Sequence, residues 1–327
     1  MRPAALQRSL RAFALAVAAV LLTLAFPAMA ADPIPSFSAR LDALWDYGRP
    51  AESEARFRAE LAAHPAGSGE ALETSTQIAR TQSLRRQFAA ADATLDAIEP
   101  KLDGAPPRVR VRYLLERGRT RNSAGDKRAA VTLFIAALDA CARDTLPDTD
   151  FYRVDALHML GIAAPATDQL DWNRKALAVA EASADARARG WAASLNNNIG
   201  WTYFNRGDAA IALTYWKKAL AQREAAGKTT DIRIAKWMVA RGLRETGALD
   251  DAQAIQMALV VETERDNAPD GYVYEELAEI ALARGDAKSA APWAAKAHAL
   301  LKDDPSLAAN EAPRLARLAD VAKGAAR

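Results

Sequence analysis

Cysteine and histidine are nearly absent from this chain of 327 residues. Cys141 is the only cysteine, which excludes a disulfide within the chain. It follows closely on the apolar helical run at residues 134–138, so it is predicted to be a buried core thiol. The three histidines, His64, His158 and His298, fall in separate parts of the sequence and do not have the spacing of metal ligands. No metal or other cofactor is therefore expected.

Aromatic residues make up only 7% of the chain, and neither sign of charge dominates. A hydrophobic content of 50% with 26% charged residues is typical of a folded protein. The formal net charge is +2, but Arg2, Arg8 and Arg11 belong to a segment that we expect to be removed. Without these three, 40 of the 43 basic residues remain against 41 acidic ones. Such a balance argues against general affinity for nucleic acid or anionic lipid.

Long hydrophobic runs are also missing, except at residues 12–26. This run follows a basic start and precedes the small residues Ala28 and Ala30, an arrangement typical of a secretory signal peptide. Residues 1–30 are therefore predicted to be a signal peptide cleaved after Ala30, which would place the protein in the periplasm or outside the cell. An uncleaved anchor is the alternative, but the run is short for a span of about 20 residues. No membrane span is expected after cleavage.

The most informative stretch is residues 193–226, where two amphipathic helical patterns flank a short break at residues 205–208. Small residues stand where two antiparallel helices would approach closely, at Gly200, Ala212 and Ala219. The stretch resembles the tetratricopeptide repeat (TPR) at nearly all of the signature positions of that family. These positions are Asn196, Ile199, Gly200, Tyr203, Gly207, Asp208, Ala212, Trp216 and Ala219.

The same turn recurs about every 40 residues as a glycine followed five positions later by a small residue. The glycines are Gly48, Gly125, Gly207, Gly247 and Gly285. Arg86 takes the same place without glycine, and a further turn near Pro165 fills the remaining gap. The resemblance thus implies an all-α, right-handed superhelix, or α-solenoid, of about seven helical pairs over residues 31–301. A capping helix and tail are expected over residues 302–327, and Pro165 is expected to shorten the fourth pair.

In TPR folds the first helices of successive pairs line a concave groove, so the resemblance implies that their outward polar and aromatic residues contact a ligand. The implied groove is basic and aromatic in its middle and acidic at its C-terminal end. Its predicted residues are Arg80, Arg112, Arg119, His158, Asn197, Asn198, Trp201, Trp237, Arg241, Arg244, Glu275, Glu276 and Glu279. The alternative for each one is an ordinary solvated helix face. The run of asparagines at residues 196–198 is unfavourable in a helix interior, which indicates that these side chains have tertiary partners.

These features favour a non-catalytic periplasmic interaction scaffold that binds an extended peptide or the tail of a partner protein in its groove. Asparagine amides pair with peptide backbone, and arginine binds carboxylates through two parallel hydrogen bonds. A receptor for a small molecule or polysaccharide, using the same groove, is the alternative. A structural assembly subunit is a further one. Paired carboxylates among Glu275, Glu276 and Glu279 would suit a glycosidase, but acidic helix surfaces are far commoner, and no enzymatic activity is expected.

Overall fold

The computed structural model describes residues 36–143, 148–304, 307–308 and 311–324. Regular structure in these ranges is entirely helical, with sixteen α-helices and one 3-10 helix. No described helix is both long enough and apolar enough to cross a membrane. The predicted signal peptide, residues 1–30, lies outside the described residues, so it stays a prediction.

The chain divides into two compact units, residues 1–44 and residues 45–327. The described part of the first unit contains one short helix, α1 (Phe37–Asp42). Ser36 caps this helix, since its hydroxyl accepts a hydrogen bond from the backbone N–H of Ala39 at 3.2 Å.

The second unit carries the other fifteen α-helices. In chain order they are α2 (Pro50–Ala62), α3 (Gly69–Leu84), α4 (Phe88–Asp96), α5 (Pro107–Ser123), α6 (Lys127–Arg143), α7 (Thr149–Ala163), α8 (Gln169–Ala182), α9 (Ala186–Arg189), α10 (Ala192–Asn205), α11 (Ala209–Ala226), α12 (Thr229–Glu245), α13 (Leu249–Arg265), α14 (Gly271–Ala283), α15 (Ala287–Leu301) and α16 (Ala312–Ala322). The 3-10 helix, Glu99–Gly104, follows α4.

Helices of the second unit pack as successive antiparallel pairs: α3 with α4, α5 with α6, α7 with α8, α10 with α11, α12 with α13, and α14 with α15. Neighbouring pairs also pack on each other, so the buried clusters follow one another along the array. α16 packs against α15 and buries Leu318 and Val321 beside Leu301. The predicted all-α solenoid with a terminal helix is therefore confirmed, and these six pairs are the second to the seventh of the seven predicted from the sequence.

Left-handed backbone explains four of the five recurring turn glycines, whereas Gly48 does not have a positive φ. Gly125, Gly207, Gly247 and Gly285 all have φ between 77° and 96°, a region that side chains with a Cβ rarely adopt. Arg86 occupies the same place in the second pair with φ of 59°. The turn position therefore fixes the backbone conformation even where the sequence supplies no glycine.

The fourth pair differs from the sequence prediction. α7 ends at Ala163, two residues before Pro165, as a proline there requires. Its 15 residues nevertheless exceed the 14 of α10 and the 13 of α14, so the pair is not shortened. The irregular feature comes after α8, where the extra four-residue helix α9 buries Ala188 completely.

Candidate functional site: the first helices of the pairs

The thirteen predicted groove residues all lie on the first helices of the pairs: α3, α5, α7, α10, α12 and α14. Contacts join each of these helices to the next one along the array. Arg80 on α3 pairs with Glu116 on α5 at 3.3 Å, and Trp237 on α12 donates from Nε1 to the carbonyl of Tyr272 on α14 at 2.9 Å. The first helices therefore form one continuous lining.

The N-terminal part of this lining is a buried charge network. Glu116 accepts from Arg80 and, at 2.8 Å, from Arg119, and Arg119 also pairs with Asp155 on α7. Burial acts to raise the pKa of Asp155, but the positive charges of Arg119 and Arg80 outweigh burial and hold that pKa below its usual range. The charges of Arg80 and Arg119 are thus largely balanced inside the protein.

Arg112 is the more deeply buried of the two predicted groove arginines on α5. It is buried, with Nε 2.8 Å from a carboxylate oxygen of Glu73 and 3.0 Å from the hydroxyl of Tyr152. Its guanidinium also stacks 5.3 Å from the centre of the Tyr152 ring. In this position Arg112 joins α3, α5 and α7.

His158 and the asparagines continue the lining onto α10. Nδ1 of His158 lies 3.5 Å from Nδ2 of Asn198, and its ring packs 4.9 Å from that of Trp191. Burial lowers the pKa of His158 from 6.5 to about 4, so the ring is neutral at pH 7 and can accept the amide hydrogen of Asn198. Asn198 accepts in turn from Asn197 at 3.5 Å.

Asn196 and Asn197 complete the asparagine run. Asn196 is fully buried, and its amide donates to the side chain of Gln222 on α11 at 3.1 Å. Gln222 is thus the tertiary partner that the sequence predicts for this asparagine. Oδ1 of Asn197 is buried without a hydrogen-bond partner among the described residues.

An aromatic cage surrounds Arg241. Its guanidinium carbon lies 5.6 Å from the ring centre of Trp201, 5.1 Å from that of Phe204 and 5.5 Å from that of Trp237. No ion pair to Arg241 is present within the described ranges, and its Nε is buried without a partner. Sequence reasoning found both tryptophans but missed Phe204, although its position three residues after Trp201 places both on one helix face.

The C-terminal end is not simply acidic, because basic residues pair with its carboxylates. Nε of Arg244 lies 2.5 Å from Glu276, and Nε of Arg314 on α16 donates to Glu275 at 2.7 Å. Glu279 pairs with Arg317, also on α16. Sequence reasoning missed both α16 arginines, which stand 39 and 38 residues after their partners, close to one repeat length.

Burial and charge act in opposite directions on these carboxylates. Burial raises the pKa of Glu276 despite its hydrogen bond with Arg244. For Glu279, burial also acts upward, but the hydrogen bond and charge of Arg317 prevail and lower the pKa. Together with Arg241, these side chains line a pocket of about 360 Å³.

No protein-family model and no curated protein matches the chain. Its structure is similar to solved ones. Apo RapI has a TM-score of 0.64 and 10% identity, covering 86% of this chain and 84% of that one. Cut9 in the APC/C heterotetramer Cut9–Hcn1 has a TM-score of 0.57 and 11% sequence identity, and the match covers 89% of this chain and 48% of Cut9's own length. Nearly identical TPR-like repeats from a putative kinesin light chain of Podosopora anserina have a TM-score of 0.50 and 15% sequence identity. The match covers 61% of this chain and 99% of that one. This chain has the TPR fold.

Within this TPR array the predicted residues fall into two groups. The N-terminal group comprises Arg80, Arg112, Arg119, His158, Asn197 and Asn198. In the C-terminal group, Trp201 and Trp237 surround Arg241, and Arg241 lines the charged pocket with Arg244, Glu275, Glu276 and Glu279. Contact of any of them with a ligand stays a prediction. Within the described residues, no three His, Cys, Asp or Glu side chains converge to hold a metal ion.

Proposed function

We propose that this TPR array is a non-catalytic scaffold that binds an extended, carboxylate-bearing segment of another protein along its first helices. The signal peptide predicted from the sequence would place this binding outside the cytoplasm. The observation that carries the proposal is Arg241, which three aromatic rings hold in place and which makes no direct ion pair within the described residues.

Arg241 differs in this respect from the arginines around it. Arg244, Arg314 and Arg317 each face a carboxylate of α14, and their charge is already satisfied. A guanidinium is weakly hydrated and stacks on aromatic faces, so the cage orders Arg241 before a ligand arrives. Glu276 and Glu279 act on Arg241 only through longer-range charge, so a ligand carboxylate would supply the direct, charge-assisted hydrogen bonds that Arg241 lacks.

Asn197 offers a second type of contact beside Arg241. It precedes Trp201 by four residues on α10, so the two side chains lie on one helix face. Oδ1 of Asn197 is a buried acceptor without a partner among the described residues, so a backbone N–H of an extended peptide would pair with it once the amide turns outward. Carboxylate recognition by Arg241 and backbone recognition by Asn197 together favour a peptide ligand.

Two further observations support a binding role. The similar structure of Cut9 is a complex with Hcn1, so a fold of this type takes part in protein assembly there. The carboxylates considered for catalysis, Glu275, Glu276 and Glu279, each pair with an arginine, which disfavours a role as general acid.

A small-molecule receptor is the second candidate, because the charged pocket beside Arg241 measures about 360 Å³ and ligand pockets start at roughly 300 Å³. An anionic sugar or small acid would use the same guanidinium. This candidate predicts that purified protein binds free ligand without any partner protein.

The test is a crosslinking capture from periplasmic extract with the mature protein, its Arg241→Ala variant and an Arg284→Ala control. Arg284 pairs with Asp250, whose side chain is almost fully exposed, and it is not one of the residues predicted to line the groove. A partner captured by wild type and control but lost from Arg241→Ala, and whose acidic tail binds directly, supports the proposal. Equal capture by all three proteins, with unchanged helicity, contradicts the assignment of Arg241.

A further inference from the structure

A second pocket, of about 440 Å³, lies between α12, α13 and α14. Its floor is formed by the buried side chains of Met238, Leu259 and Val273. Trp237 and Tyr272 line it as well, and Ile234 stands at its rim with 44% of its surface exposed. A volume within the range of ligand sites, lined mainly by apolar groups, fits one large apolar side chain with room to adjust.

Arg233, Thr263 and Asp270, three polar residues of the lining, already have partners inside the protein. Arg233 pairs with Glu262 at 3.4 Å and with Asp266, and Asp270 accepts from the backbone N–H of Tyr272 at 2.8 Å. The hydroxyl of Thr263 donates to the carbonyl of Leu259, also lining the pocket, at 2.9 Å. A charged group of a ligand would therefore find few free partners in this pocket, and its burial would cost free energy. An apolar group is favoured.

The pocket is next to Arg241. Ile234, Trp237 and Arg241 follow one another at spacings of three and four residues, so they form one stripe on α12. The ring of Trp237 lines the pocket and also lies 5.5 Å from the guanidinium of Arg241. Ile234 and Arg241 are seven positions apart on α12, which corresponds to a helical rise of about 10 Å between their Cα atoms.

This distance selects a backbone conformation for a bound segment. A polyproline II helix rises about 3.1 Å per residue with three residues per turn, so side chains three positions apart point the same way at about 9 Å. In a β-strand, side chains on one face are separated by about 7 Å or 13 Å, neither of which fits. Such helices also dock on aromatic-lined surfaces.

We infer that the partner segment binds in a polyproline II conformation, with an apolar side chain in the Ile234 pocket and, three residues away, a carboxylate side chain on Arg241. This inference rests on the proposed function, in which Arg241 binds a carboxylate. It adds the spacing, the conformation and the second anchor.

The test uses capped nonamer peptides of serine that contain one phenylalanine and one aspartate, separated by one to five positions in either order. Dissociation constants are measured by calorimetry. The three-position spacing should bind about tenfold more tightly than the two- or four-position spacing, since only it fills both sites. Replacing phenylalanine by alanine in the best peptide should remove that advantage without any change to the protein.

Protein variants separate the two claims. Ile234→Glu should abolish the dependence on spacing, whereas Val261→Glu should not, because Val261 is 65% exposed on α13 and does not line the pocket. Binding that needs Arg241 but ignores spacing and Ile234 would overturn this inference and leave the proposed function standing. Binding that ignores Arg241→Ala contradicts the carboxylate site itself. Absence of binding by every peptide also overturns the inference, while the capture experiment still judges the proposed function.

Discussion

Gly200 on α10 lies directly against the indole of Trp216 on α11. A Cβ added at Gly200 would come within 2.4 Å of Trp216 Nε1, closer than real Cβ atoms approach any neighbour. Gly118 stands in the same relation to Phe134, also at 2.4 Å. In both pairs the glycine of the first helix lets a large ring of the second helix reach the core, which holds the two helices close together.

Gly200→Ala is therefore expected to destabilise the protein by about 1–3 kcal/mol, since the well-packed ring must shift. Urea unfolding followed by tryptophan fluorescence measures the change. Gly104→Ala is the control, because a Cβ there meets nothing within 4 Å. Its effect should remain within about 0.5 kcal/mol. Equal losses in the two variants would mean that helix contact at Gly200 does not limit packing.

Arg244→Met should cost about 3–5 kcal/mol, because Glu276 is 1% exposed and would be left charged without its partner. Adding Glu276→Gln to Arg244→Met should restore most of the loss. Arg241→Ala, which removes ring contacts and no ion pair, should cost only about 1 kcal/mol. Urea titrations of the three variants and the wild type give all three values. If the double variant is no more stable than Arg244→Met, burial of the unpaired charge is not the cause.

Stability should fall between pH 6.5 and pH 4 because of His158. Above pH 6.5 the imidazole is neutral in both folded and unfolded chains. As the pH falls, the unfolded chain takes up a proton at its ordinary pKa near 6.5, while the folded chain resists until its pKa of about 4. The folded state thus loses on the order of 3 kcal/mol across this window.

His158→Gln should flatten that loss, and unfolding free energies at pH 7, 5.5 and 4.5 would reveal the difference. His298→Gln on α15 is the matched histidine control. Curves of the same slope for wild type and His158→Gln would show that His158 is readily protonated in the folded protein.

The array itself could be predicted from sequence because its signals are local. A turn glycine such as Gly207 must adopt a positive φ, and the helices on either side follow from the apolar periodicity. The repeat spacing alone placed Arg86 at a turn, although an arginine gives no sign in the sequence of the positive φ that it adopts. The short helix α9 was missed because four residues are too few for a periodic pattern.

The site was harder to predict, because its chemistry depends on partners one repeat away. Alignment placed Arg119 and Arg244 on the first helices. It could not show that Asp155 and Glu276 neutralise them, since that depends on how far one pair is rotated relative to the next. A usable signal exists: these partners lie 36 and 32 residues along the chain, near the repeat length. Arg241 was proposed with its neighbours, and only the structure separates it from them.

The last helix should stabilise the array locally. Leu318 is 1% exposed and packs in one cluster with Leu301 and Leu307, so Leu318→Ala should cost about 2–5 kcal/mol in the last pair. Because each pair contacts only its neighbours, amide hydrogen exchange should accelerate in α14 and α15 and stay unchanged in α5 and α6. Val261→Ala, at a largely exposed position, should change neither region. Uniform acceleration in every helix would mean instead that the array unfolds as one cooperative unit.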